Sequence, residues 1–220
     1  MNNSLDWADI LYAKYQGLDW LTINDFDLLA MLWNVLLIAI PWAIAIWLGY
    51  LWKRTKFVKL LDKFFAMILG FFWLLFIPNS IYIITDIRHL LNYCPSDSSN
   101  QICVNSAWMI PWFFLYAVVG WIFFVYLLRQ MTILLKHIFD ITVAKLFIIL
   151  IMPFISLGVL LGLINRWNSW DFFFHPFEVI KSSLIYCFDL RYFIDWFSFT
   201  VVLYVLYFLG KTLFKNKLTD

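Results

Sequence analysis

The chain alternates long apolar windows with shorter polar ones. Crossing a bilayer takes roughly 20 apolar residues, and five windows qualify: Leu28–Trp52, Phe64–Ile84, Trp108–Leu128, Thr142–Ile164 and Phe193–Gly210. Pro78 interrupts the second, and the fifth is short and carries Asp195 near its start. Ahead of the first, residues 5–23 mix Trp7, Ile10, Leu11, Tyr15, Leu18 and Trp20 with Asp6, Asp9 and Asp19. That mixture predicts a short helix lying on the membrane surface or packed across the bundle. The expected fold is all-α, a polytopic membrane helix bundle of about five transmembrane helices with short interfacial helices on the outer side. A single integral membrane domain covers residues 1–220. Residues 1–27 form its outer interfacial segment, 28–210 the bundle and 211–220 an inner tail. No internal repeat or inverted symmetry of the transporter kind is visible.

Lys and Arg set the expected orientation. The segments 53–63, 129–141 with the span edge at Lys145, and 211–220 hold Lys53, Arg54, Lys56, Lys59, Lys63, Arg129, Lys136, Lys145, Lys211, Lys215 and Lys217. The segments 1–27, 85–107 and 165–192 hold only Lys14, Arg88, Arg166, Lys181 and Arg191. Basic residues collect on the cytoplasmic side, so the N-terminus is expected outside and the C-terminus inside.

Composition agrees with the pattern. The chain is 64% apolar, 22% aromatic and 14% charged, whereas soluble domains are about half apolar and about a quarter charged. A net charge of +2, with no basic run interleaved with stacking residues, argues against nucleic acid as a partner. The acidic first 27 residues lack a positively charged start before an apolar core, which argues against a cleaved signal peptide. Cys94, Cys103 and Cys187 all fall on the expected outer side. Cys94 and Cys103 bracket a polar loop where a disulfide is sterically reasonable, and three cysteines leave the pairing open.

Candidate chemistry concentrates in two stretches. Phe76–Asn92 begins as the end of a span and finishes polar. At 100° per residue Asn79, Tyr82, Asp86, His89 and Tyr93 share about one quadrant of a helix, with Arg88 on the opposite side. Such a stripe is costly in lipid unless it faces other helices or a wet cavity. The second stretch, Asn165–Asp171, follows the fourth span and emerges at the same membrane face. Together they place Asn79, Tyr82, Thr85, Asp86, His89, Asn165, Arg166, Asn168 and Asp171 at one end of the bundle. Asp86 and His89 are the candidate acid–base pair. Asn79, Tyr82, Thr85, Arg166, Trp167, Asn168, Trp170 and Asp171 are candidate binding residues, with Arg166 suited to an anionic group. Asp86 is expected close to Arg166, directly or through one water.

Each assignment has a plainer alternative. Trp167 and Trp170 suit an aromatic belt. Arg166 can snorkel from a span end. Asn79 can satisfy backbone freed by the Pro78 kink. Asn168 can cap a following helix. Asp86, His89, Asp171 and His175 form a further, metal-binding reading, although no cofactor is implied. Gly158-x-x-x-Gly162 predicts close packing inside the bundle and not a dimer contact. No G-x-S-x-G, phosphate-cradling glycine loop or dinucleotide fingerprint occurs.

The two stretches resemble a family of bacterial integral membrane proteins known as domain-of-unknown-function family 1361. Its members carry P-N-x-x-Y-x-x-T-D-x-x-H-L at the end of one span and R-W-N-S-W-D after a later one. Pro78, Asn79, Tyr82, Thr85, Asp86, His89 and Leu90 match the first, and Arg166, Trp167, Asn168, Ser169, Trp170 and Asp171 the second. The family often has an acidic residue after a Trp-aromatic pair at the start of a middle span, where this chain reads Pro111-Trp112-Phe113-Phe114. The resemblance implies a bacterial cytoplasmic membrane protein and names no reaction. The expected function is an envelope enzyme acting on a lipid or lipid-linked substrate at the outer leaflet, with membrane lipids as neighbours. A non-catalytic partner or scaffold of a membrane complex is the alternative. A transport component is a third reading, disfavoured because the first, third and fourth spans carry no charge well inside them.

Overall fold

The structure, a computed structural model, describes residues 22–23, 26–88 and 108–214. What the sequence predicts for residues 5–21, for His89, Leu90 and Tyr93, for Cys94 and Cys103, and for the 215–220 tail lies outside the described residues. A two-residue antiparallel pair, β1 (Thr22–Ile23) with β2 (Phe26–Asp27), leads into the first helix. The helices follow as α1 (Leu28–Thr55), α2 (Leu60–Phe76), α3 (Pro78–Thr85), α4 (Met109–Ile138), α5 (Ile141–Ile164), α6 (Asp171–Phe174), α7 (Pro176–Phe188) and α8 (Leu190–Leu213).

Five helical stretches are long and apolar enough to span a membrane: Ala30–Thr55, Leu60–Arg88, Ile110–Ile138, Ile141–Ile164 and Leu190–Leu213. The second joins α2, α3 and the turn after them across Pro78, as the interrupted window predicts. Large apolar side chains such as Trp47, Leu115, Ile149, Phe154 and Val205 lie on the outside. This is the surface of a multi-pass membrane bundle, whose backbone must be satisfied internally.

The third span runs ten residues beyond its expected end at Leu128. Arg129, Gln130 and Thr132 are helical and not loop. Polarity does not stop the helix, because Thr132 turns its hydroxyl back to the Leu128 carbonyl (2.7 Å) and Gln130 pairs with Tyr126 one turn away. The connection to α5 shrinks to Phe139 and Asp140. The Asp140 carboxylate accepts from the Val143 N–H (2.8 Å) and starts the next helix as an N-cap.

α4 is the hub. It packs against α1, α3, α5 and α8, with Phe113, Phe124, Leu127 and Leu128 fully buried. A proline inside α5 creates a local problem, because Pro153 has no N–H for the Ile149 carbonyl four residues back. The Tyr204 hydroxyl of α8 donates to that carbonyl instead (2.5 Å), and the Trp196 indole donates to the Pro153 carbonyl (2.8 Å). The proline thus becomes a hydrogen-bonded seam between α5 and α8.

Gly158 and Gly162 fulfil the packing expectation. A Cβ at Gly158 would sit 2.7 Å from the Pro78 ring, and one at Gly162 would touch the Tyr82 ring at 3.4 Å. The small residues let α3 approach α5 inside one bundle. That approach carries the polar residues of α3 toward the end of α5.

Candidate functional site

The site forms where the Pro78 break and the end of α5 meet. At the break, Ser80 donates its N–H to Ile77, so the Phe76 carbonyl loses its helical partner. Asn79 supplies one, donating Nδ2 to the Phe76 carbonyl (2.9 Å) and also reaching the Ser169 hydroxyl (3.1 Å). The amide therefore repairs the kink and ties it to the second polar stretch.

That stretch is folded by two unusual turns. α5 ends at Asn165, and the next residue, Arg166, has φ 63°. This is the left-handed region, where a side chain with a Cβ is disfavoured and glycine is the usual occupant. Trp167 then returns its N–H to the Leu161 carbonyl (3.1 Å). Two residues on, the Asp171 carboxylate accepts from the Asn168 N–H (2.6 Å), and the Asn168 carbonyl accepts from the Asp171 N–H (3.0 Å). Asn168 thus begins the α6 turn through its backbone, which frees its side chain from capping.

Between α1, α3, α5 and this stretch lies a cavity of about 450 Å3. Among the predicted residues, Asn79, Tyr82, Asp86, Arg166, Trp167 and Asn168 line it. Asp86 is only 3% exposed. Its carboxylate accepts from Asn34 Nδ2 (3.0 Å), and Arg88 and Arg166 both lie close enough to act on it electrostatically. The Tyr116 hydroxyl, beside this pair, donates to the Met31 carbonyl (3.2 Å).

Other predicted residues stand back from the cavity wall. The Thr85 hydroxyl turns to the Tyr82 carbonyl (2.6 Å). Trp170 meets Trp33 edge-on at 6.4 Å. Asp171 is held in its turn, and the His175 ring packs on Trp167 at 6.3 Å. Among the described residues no three His, Cys, Asp or Glu side chains come together. Cys187 is exposed with a free thiol.

Arg88 is placed differently from its expected position opposite the stripe. It lines the cavity and reaches the Leu163 carbonyl and the Tyr82 hydroxyl, each at 3.5 Å. The reason is local: α3 stops at Thr85 and residues 86–88 wind as a tighter turn, so the 100° step no longer applies. Asn34, Trp33 and Ser169 also line the cavity, outside the helical stripe. Asn34 carries a legible signal all the same, as a lone amide inside an otherwise apolar window.

The arrangement provides two guanidiniums, five amide or hydroxyl groups and one buried carboxylate around a volume flanked by Trp33, Trp167 and Phe172. Such a lining suits a ligand with a polar, anionic part and an apolar part. Comparison with curated proteins finds no match, and comparison with solved structures finds none. The sequence does match, over residues 33–208, the family described as "Protein of unknown function (DUF1361)". Most of the chain is covered, both polar stretches included, and the protein belongs to that family.

Proposed function

We propose that the cavity binds the headgroup of a lipid or lipid-linked envelope substrate at the outer leaflet, and that Asp86 acts on it there. The observation that carries this reading is the unfilled volume between Asp86, Arg88 and Arg166. A structural plug would pair its polar groups with one another, because unpaired charges in a membrane interior are expensive. Here both guanidiniums border about 450 Å3 of open space, Arg88 with only long contacts to the Leu163 carbonyl and Tyr82 hydroxyl, while Asn34 donates to Asp86. The Arg pair would hold a phosphate or carboxylate. Asn79, Asn168 and Ser169 would position the polar part, and the aromatic rim would receive the apolar part. His89, adjacent in sequence, would complete acid–base chemistry with Asp86.

The outer placement rests on the basic residues gathered at the other end of the bundle. Reporter fusions at Lys56 and Asp97 are expected to report opposite sides of the membrane, Lys56 inside. The same side for both would overturn the orientation. The binding claim is tested by mass spectrometry of what co-purifies from native membranes. The unmodified protein is expected to retain a discrete anionic amphiphile, and Arg88→Gln/Arg166→Gln to lose it while keeping its thermal stability. Equal retention by both proteins would reject the site.

A further inference from the structure

The opposite end of the bundle holds a second, chemically different volume, which the proposed function does not use. α2 packs along α1, and a groove of about 710 Å3 opens between α2 and the ends of α4 and α5. Its walls are almost wholly apolar, including Leu48, Met67, Trp73, Leu134 and Phe147. Lys56 and Lys63 are the two cations in its lining, and both are exposed.

The turn at its mouth is held in a costly conformation. Lys56 and Phe57 are consecutive residues in the left-handed region, φ 49° and 51°, and neither is glycine. The Thr55 hydroxyl accepts from the Phe57 N–H (3.1 Å) and helps fix the turn. The strain has two consequences. The Phe57 ring is buried in the groove against Trp52, centroids 5.3 Å apart. The Lys56 ammonium stands over the same indole at 5.1 Å, at the rim. Farther in, the groove is floored by the Trp73 ring.

We propose that this groove is a binding site for an anionic glycerophospholipid of the leaflet at the basic end of the bundle. The phosphate sits between Lys56 and Lys63, and one acyl chain fills the apolar groove below them. The surrounding charge favours this occupant over a zwitterionic lipid. Lys53, Arg54 and Lys59 are exposed near the rim, against Asp62 on α2 and Asp140, whose carboxylate is engaged as the α5 cap. Basic pockets between helices on the cytoplasmic side are a recurring form of anionic headgroup recognition. A bound lipid would also wedge α2 against α4 and α5, contacts that the protein alone leaves sparse in this region.

The test uses the whole protein in nanodiscs of phosphatidylglycerol and phosphatidylcholine in equal parts, released for native mass spectrometry. The unmodified protein is expected to retain phosphatidylglycerol over phosphatidylcholine by about tenfold or more. Lys56→Gln/Lys63→Gln is expected to lose that preference. Gly70→Phe gives a second handle that does not touch charge. Gly70 lines the groove and a Cβ there meets nothing within 4 Å, so the variant is expected to fold and to displace the lipid. Retention of both lipids equally by the unmodified protein, or an unchanged preference in Lys56→Gln/Lys63→Gln or in Gly70→Phe, would overturn the proposal.

Discussion

The two faces of α3 solve opposite problems. Toward α4 there is no free space. A Cβ at Gly120 would lie 2.5 Å from the Ser80 carbonyl oxygen, and Ser80, Ile81 and Ile83 are fully buried. The one polar side chain on that face, Ser80, satisfies its hydroxyl on the Ile77 carbonyl (2.7 Å). Toward α1 and α5, the same short helix presents Asn79 and Tyr82, with Asp86 just beyond its end, to the 450 Å3 cavity. A polar residue in a span is therefore not a site by virtue of polarity alone. Ser80 is consumed by its own turn, whereas the Arg88 and Arg166 guanidiniums border open volume.

The comparison can be broken most forcefully at Gly120. Gly120→Leu would drive a side chain into the Ser80 backbone. Overpacking of this kind costs about 1–3 kcal/mol or more. The expected outcome is a large fall in melting temperature or loss of monodisperse protein in detergent. An unchanged melt would mean that the seam is not close-packed.

Asn79→Ala is next in size, because Asn79 belongs to both faces of the argument. It removes the bond to Ser169 and strands the Phe76 carbonyl at the kink, for about 1–3 kcal/mol. Thermal unfolding in detergent measures it. A change within error would mean that the proline break needs no repair.

Arg166→Gly sharpens the contrast from the cavity side. Glycine relieves the left-handed backbone at φ 63° but removes the guanidinium. A gain in stability of up to about 1 kcal/mol, coupled with weaker ligand retention, is expected. Loss of stability would assign Arg166 a structural role instead.

Asp86→Asn should have the smallest effect on stability, under about 1 kcal/mol. The amide matches the carboxylate in shape and can still pair with Asn34. Its effect should fall on ligand turnover or retention, and a misfolded variant would place Asp86 with the packing residues.

The spans were legible in the sequence because lipid enforces long apolar windows whatever the tertiary packing. The end of α4 was not legible. Arg129, Gln130 and Thr132 resemble a loop by polarity, and only their helical side-chain bonds reveal that the backbone continues. The cavity was half legible. The period of a helix puts Asn79, Tyr82 and Asp86 on one side, and the topology supplies Arg166 and Asn168 opposite them. Arg88 was lost because the tight turn after Thr85 changes the angular step. Asn34 was lost because a single amide leaves an apolar window intact. The spacing of Gly158 and Gly162 foretold a close approach, while its partners, Pro78 and Tyr82, are set by tertiary packing alone.

The most direct test is an experimental density map of the protein extracted with its native membrane lipids. Density for a headgroup between Arg88 and Arg166, with its polar part facing Asp86 and its apolar part against Trp33 and Phe172, is the predicted result. A closed pocket in which those two guanidiniums pair only with protein groups or with isolated waters would contradict the account.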